Sequence, residues 1–501
     1  MWRNVYYDGR KECIHLWTWD KNGNRVKETH PYEPFLYVES PNGTDGVSIF
    51  NTKLRKISFN NQFERNKFVN DTAIRRLFYN LKCEQEFLIS NYKDFTGNIN
   101  EFPLRNCFFD IETDCKDGFA DPNIADKAIL LITVYDTLKK EFVTWGTKPY
   151  KSKRENHTYH YHKTETDMLI GFLDYWSQDY FDMVMGWNSE GYDIPYILNR
   201  LRIVLGEAEM KRFSPVSRLY CREGIGMNQF GKPINKWYIY GISHLDYMEV
   251  YQKLSRGVRE SYSLDYIAEI ELGKNKLAIN TVNLAQLAEK DWDNFVDYNV
   301  YDVELLVELD AKLKFTKIIR TLSYRGFISF DQALGKVMMI TGSAANQALK
   351  QGQLISTFKT DGFRSDFEGG YVHEPERGLH KFVVSYDANS LYPNTMITLN
   401  LSPETKIGKI IEEDDKSVTL KLVTDKSVTL TREQYSRLLE TEQIAVSKAK
   451  VLYTQKFKGI IPQMIDGYYK ERLEVKKSIT KYERQISANK KRIAELLSLQ
   501  K

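Results

Sequence analysis

The sequence predicts a multidomain α/β protein, and three observations predict it. Its 501 residues exceed what one hydrophobic core usually supports. From residue 104 to about 314, strand patterns alternate with helical ones, the order of an α/β layer. Before that, aromatic-rich segments are separated by Asp8-Gly9, Asn22-Gly23 and Asn42-Gly43, the turn pairs of β-hairpins.

Composition narrows the class. Hydrophobic residues make up 42% and charged residues 28%, a globular balance that excludes a disordered chain. Net charge is only +4, so any surface for nucleic acid must be local. The cysteines Cys13, Cys83, Cys107, Cys115 and Cys221 lack paired spacing, which excludes a readable zinc or disulfide framework. Met1 to Tyr7 reads as a strand and not as a signal peptide. No apolar run approaches the ~20 residues of a membrane helix. The expectation is a soluble cytoplasmic protein with no membrane partner, in the host cytoplasm if the chain is viral.

Taken in order, residues 1–103 read as a β-rich domain with one helix around Phe63 to Tyr79. Residues 104–314 open on Cys107-Phe108-Phe109-Asp110-Ile111-Glu112-Thr113-Asp114, an alternating strand. Ala128 to Tyr135 is nearly continuous in apolar residues and fits a strand buried on both faces. Thr166 to Trp176 has helical periodicity, and Met183 to Asn188 reads as another buried strand. His157, His160 and His162 form a polar segment, for which an exposed loop or a strand edge is a simpler reading than a metal site. Asn228 to Tyr240 reads as a hairpin with aromatic arms, and Ser261 to Lys276 as a helix and basic turn.

Residues 315–358 look helical and connective, returning toward the N-terminal domain. Residues 359–458 contain Gly369-Gly370-Tyr371, where backbone must turn or approach a ligand closely. They also contain the apolar run Phe382 to Tyr386 ending in Asp387, with a helix expected after it. Asp-Lys-Ser-Val-Thr-Leu occurs at 415–420 and again at 425–430, the pattern of a surface hairpin. In the last region, residues 459–501, Pro462 to Lys501 reads as one long basic helix or two, suited to a solvated face or to phosphate.

Four acids carry the chemistry. On a strand, Asp110 and Glu112 project to one face, with Ile111 turned to the core. Asp193 follows a turn and precedes a helix, where an N-cap is the bland alternative. Tyr298 and Asp302 are i and i+4 on a helix. Four such carboxylates meeting at one point could hold two divalent cations ~4 Å apart, with hard oxygen ligands suited to Mg²⁺ or Mn²⁺. The Tyr298 hydroxyl could then orient an attacking water.

At these residues the chain resembles the family B replicative DNA polymerases of the T4-like bacteriophage branch. Asp110-Ile111-Glu112 resembles the family's first exonuclease motif, Asn188 to Asp193 the second, and Tyr298 to Asp302 the third. Asp387 with Ser390-Leu391-Tyr392-Pro393 resembles the first palm motif, and Gly459-Ile460-Ile461-Pro462 with Arg472 and Lys476 the first fingers helix. The resemblance implies a β-rich N-terminal domain, a ribonuclease H-like exonuclease domain, a partial palm and half of the fingers.

It further implies that Asp110, Glu112, Asp193 and Asp302 bind two metals for 3′–5′ proofreading, with Tyr298 assisting the water. Asp387 becomes a catalytic palm metal ligand. The backbone at Ser390 and Leu391, the ring of Tyr392, and Arg472 and Lys476 contact a deoxynucleoside triphosphate. Asn188, Gly369, Gly370 and Tyr371 contact DNA, and the hairpin near Asn228 to Tyr240 helps move a mismatched primer end. Primer–template and single-stranded DNA are the implied partners. The family's second fingers helix, its palm Asp-x-Asp turn and its thumb have no counterpart before Lys501. The expectation is therefore the N-terminal part of a split or truncated polymerase. A C-terminal polymerase chain would complete it and carry the contact to a sliding clamp. Two alternatives stand beside it: a non-catalytic DNA-binding remnant of a polymerase, and a stand-alone 3′–5′ exonuclease.

Overall fold

The computed structural model describes the chain apart from residues 75, 95–101, 117, 119, 228–232, 275–283, 359–369 and 500–501. It divides into two compact units. One comprises Met1–Phe35, Ser58–Asp71 and Leu81–Gly342; the other comprises Leu36–Ile57, Thr72–Asn80 and Ser343–Lys501.

The first unit is built on a six-stranded mixed sheet. In spatial order its strands are His157–Tyr161, Glu141–Gly146, Ile129–Asp136, Asn106–Thr113, Met183–Gly186 and Ser243–Asp246. Asn106–Thr113, Ile129–Asp136 and Glu141–Gly146 form an antiparallel meander, and the other three pair in parallel. Ile129–Asp136 shows no polar alternation because both of its faces are covered. On one face, helices Glu165–Gln178 and Asp193–Leu205 bury Phe172, Trp176, Ile197 and Leu201 in one core with Phe109 and Ile111. On the other face, helix Trp292–Leu313 packs across the strands of Asp110 and Ile129. Asp291 caps that helix by accepting the Asn294 N–H, and Lys314 ends it in a left-handed turn.

A three-stranded antiparallel sheet, Trp2–Asp8, Cys13–Trp19 and Arg25–Pro31, belongs to the same unit. Asp182 ties it to the larger sheet. This buried carboxylate accepts from Arg3 Nη1 at 2.7 Å, Arg25 Nη1 at 2.6 Å and the Arg105 N–H at 2.9 Å. The hairpin expected over Asn228 to Tyr240 has its described arms at Leu219–Met227 and Pro233–Ile239, so its first arm precedes the expected start; residues 228–232 lie outside the described residues. Helix Leu264–Leu272 forms within the expected range, whereas Lys276 falls outside the described residues.

The second unit holds a six-stranded sheet in the order Gln353–Leu354, Gly46–Ser48, Lys53–Ser58, Phe35–Glu39, Arg76–Phe78 and Ser356–Phe358. The helix expected to run to Tyr79 is Gln62–Asp71 and stops short. Phe78 pairs with Tyr37 and Ser356, so sheet pairing overrides the helical pattern there. A second sheet, Ser427–Thr431, Ser417–Leu422, Lys406–Glu413, Val451–Thr454 and Ile444–Val446, encloses Ile410, Val418, Leu420 and Leu452. The repeated six residues form its hairpin, with Val418 opposite Leu430 and Leu420 opposite Val428. Helix Leu391–Thr398 follows Asp387, and Ile460–Leu499 is one helix of 40 residues. No helix among the described residues is long and apolar enough to cross a membrane.

Candidate metal centre

The strand Asn106–Thr113 sorts its side chains as its alternation dictates. Phe109 and Ile111 are buried, while Asp110 and Glu112 are half-buried on the opposite face. Opposite them, helix Trp292–Leu313 presents Tyr298, Asn299 and Asp302, all buried. One carboxylate oxygen each from Asp110, Glu112 and Asp302 lies within 4.8 Å of the other two. Among the described residues, this is the one group of three or more side chains of metal-ligating type. The strand pairing shifts register between Glu112 and Thr113, so a bulge sits directly at the acids.

Three carboxylates this close repel strongly. At an effective dielectric of ~20, two unit charges under 4.8 Å apart cost at least roughly 3 kcal/mol. Protons or a cation must offset that cost. The donor set is carboxylate oxygen throughout, with no thiolate or imidazole, and it fits a hard divalent ion such as Mg²⁺ or Mn²⁺.

Asp193 takes a different position. It is the first residue of helix Asp193–Leu205, and its Oδ1 accepts the Ile111 N–H at 3.2 Å. The reason lies in the sheet. Met183–Gly186 pairs with the Asp110 strand only as far as Phe108, and then turns away. The Asp193 side chain takes over where that ladder stops, landing between Asp110 and Glu112 in sequence. Asp193 is therefore not the N-cap of its helix, and it stands outside the three-carboxylate group. Burial pushes its carboxyl up to about 7.

The turn before Asp193 is tightly specified. Asn188 sits at φ 59°, a left-handed conformation that asparagine tolerates. A Cβ at Gly186 would meet Phe109 O at 2.9 Å and the Ser189 Cβ at 2.8 Å. Asp246, at the end of strand Ser243–Asp246, accepts the N–H groups of Asn188 at 3.0 Å and Glu190 at 3.2 Å, and also caps the next helix through Met248. His244, two residues earlier, reaches Ser189 Oγ at 2.9 Å. Burial pushes Asp246 up to about 6 and His244 down to about 3. Sequence reasoning missed Asp246, His244 and Asn299. Only the spacing of 244 and 246 on one strand face signals the first two, and nothing in the sequence signals the third.

The other expected residues lie elsewhere. His157, His160 and His162 do not converge: His157 is bonded to Thr144 and Ser152, His160 stacks on Trp145, and His162 lies against Gly171. In the second unit, Asp387 is exposed, and so is the apolar run Phe382 to Tyr386, which forms no strand there. Ser390 adopts φ 51° and precedes helix Leu391–Thr398. That helix packs on Ile460–Leu499, bringing Arg472 Nη1 to 3.4 Å from Ser390 Oγ and Tyr469 OH to 3.3 Å from Asn389 Nδ2. Leu391, Tyr392 and Lys476 are exposed, as are Gly370 and Tyr371; Gly369 lies outside the described residues. Lys476 lines a shallow groove with Lys477, Lys481 and Arg484.

Comparison with known proteins bears on both units. The exonuclease domain of DNA polymerase family B matches residues 54–267, and DNA polymerase family B matches residues 310–495. The chain is 27% identical over 419 residues to a DNA-directed DNA polymerase of Escherichia phage RB69, covering 78% of this chain and 46% of that protein. It is 29% identical over 331 residues to the DNA-directed DNA polymerase of Enterobacteria phage T4, covering 61% and 36%. With the DNA polymerase delta catalytic subunit of Candida albicans the identity is 24% over 336 residues, covering 64% and 30%. The chain thus spans less than half the length of these curated relatives.

Proposed function

The chain belongs to family B of the DNA polymerases, and from that membership we propose that its first unit is a divalent-metal 3′–5′ exonuclease acting on single-stranded or frayed DNA. The observation that carries the proposal is the convergence of Asp110, Glu112 and Asp302 within 4.8 Å. These three would hold the cations, and Asp193, anchored on the Ile111 N–H, would complete the set. When bound, the cations supply an activated water and neutralise charge on the phosphodiester. Tyr298, one helical turn before Asp302, orients that water through its hydroxyl. Asn188 contacts the DNA strand that enters over its turn.

For the second unit we propose a role in template-directed nucleotidyl transfer, in the cytoplasm. Asp387 serves as a palm metal ligand. Ser390, Leu391, Tyr392, Arg472 and Lys476 bind the deoxynucleoside triphosphate. The contact between Arg472 and Ser390 supports that grouping, and Gly369, Gly370 and Tyr371 touch the template. Phosphoryl transfer depends on positioned metals, and no described group of three acids includes Asp387. Transfer therefore calls for further palm and thumb elements, from a second chain or a longer one, which would also carry the clamp contact.

Incubating the protein with a 3′-recessed or single-stranded labelled primer and Mg²⁺ tests the first proposal. Degradation from the 3′ end should fall by on the order of 10²–10⁴-fold in Asp110→Ala with Glu112→Ala. Equal degradation by wild type and double variant would overturn it.

A further inference from the structure

Asn299 is fully buried on helix Trp292–Leu313, between Tyr298 and Asp302. Its Nδ2 donates to Asp110 Oδ2 at 2.7 Å, while its Oδ1 has no hydrogen-bond partner among the described residues. The orientation of the amide follows from chemistry, because an ionised carboxylate only accepts and must face the NH₂. Around it the helix buries Phe295, Val296, Val300 and Val303. A leucine has the same branched heavy-atom shape, though more bulk, and would leave no unpaired buried acceptor, which is costly to leave unmade. The amide therefore weakens the packing, and among the described residues its bond to Asp110 is the one gain that offsets this.

We propose that Asn299 is a positioning residue for the metal centre, fixing the Asp110 carboxylate and thereby setting cation affinity. The inference rests on the reading of Asp110, Glu112 and Asp302 as metal ligands. A donor at this point has to be neutral. A lysine or arginine bonded to Asp110 would supply the positive charge that the three carboxylates need and would compete with the cation. The amide holds one carboxylate oxygen by a directed N–H bond and leaves the charge of the cluster intact. Partners of this kind orient a ligand before the metal arrives, and their loss typically weakens metal affinity 10–100-fold.

The test is Mn²⁺ titration of the full chain, followed by the paramagnetic resonance signal of free Mn²⁺, with thermal unfolding measured in parallel without metal. Wild type should bind, and Asp110→Ala should not. Asn299→Leu should bind 10–100-fold more weakly and unfold no earlier than wild type. Asn299→Ala, which leaves a small cavity and removes the same donor, should show the same loss of affinity and covers the case in which the leucine variant does not fold. At saturating Mn²⁺, both variants should recover most of the turnover rate. If wild type binds, Asp110→Ala does not, and the Asn299 variants bind within twofold of wild type, the inference falls and the metal site stands. If wild type and Asp110→Ala behave alike, the metal-site reading fails and takes the inference with it.

Discussion

His157 ties stability to pH through a single side chain. It is 7% exposed, with Nε2 2.9 Å from Thr144 Oγ1 and Nδ1 3.0 Å from Ser152 Oγ. Burial, with Arg154 adding to it and Asp297 opposing it, pushes its pKa from 6.5 down to about 4. Between those values the unfolded chain binds a proton that the native one refuses. The contribution is therefore whole above pH 6.5, falls as pH drops, and is lost near pH 4. The full loss is about 3 kcal/mol. Urea midpoints should slope downward across that window, and His157→Gln should flatten the slope. At the same scale, Asp110 and Glu112 were legible in the sequence because strand period two puts i and i+2 on one face, and Tyr298 with Asp302 because a helical turn does the same. Asn299 was not, since its meaning depends on which strand residue lies across from it.

At the scale of elements, three strands of the first unit's sheet, those holding Phe109, Ile132 and Val184, and the helix from Thr166 to Trp176 were readable from apolar runs and helical periodicity. The end of Gln62–Asp71 was not, because the competing strand partner of Phe78 lies at Ser356. The turn from Gly186 to Tyr192 joins a strand to a helix under constraint from every side. Gly186→Ala should force Phe109 O and Ser189 apart, costing about 1–3 kcal/mol in the unfolding free energy and displacing Asp193. Its effect on 3′ degradation should therefore exceed its effect on stability, as paired denaturation and primer assays would show. Asp182 is the corresponding joint between two sheets. Asp182→Ala would leave the buried Arg3 guanidinium without its acid and strip half-buried Arg25 of its shorter ion pair, and should cost about 3–5 kcal/mol by guanidinium unfolding.

At the scale of the whole molecule, the three-carboxylate group of Asp110, Glu112 and Asp302 lies within the first unit alone. Asp387→Asn, in the second unit, should then leave 3′ degradation within twofold of wild type, measured on the same primer. Family membership was legible here because short acidic motifs keep their order along the chain. The segments 36–57 and 72–80 fold with residues beyond 342 in one six-stranded sheet. That sheet sets a timetable for synthesis. Its four inner strands leave the ribosome by residue 78, while the two strands that close its edges, Gln353–Leu354 and Ser356–Phe358, emerge ~280 residues later. At ~5–20 residues per second, both edges stand open for roughly 15–60 s on every nascent chain. A translational pause in that interval lengthens the exposure, so the sheet's yield in the cell depends on the speed of the intervening codons as well as on its own residues.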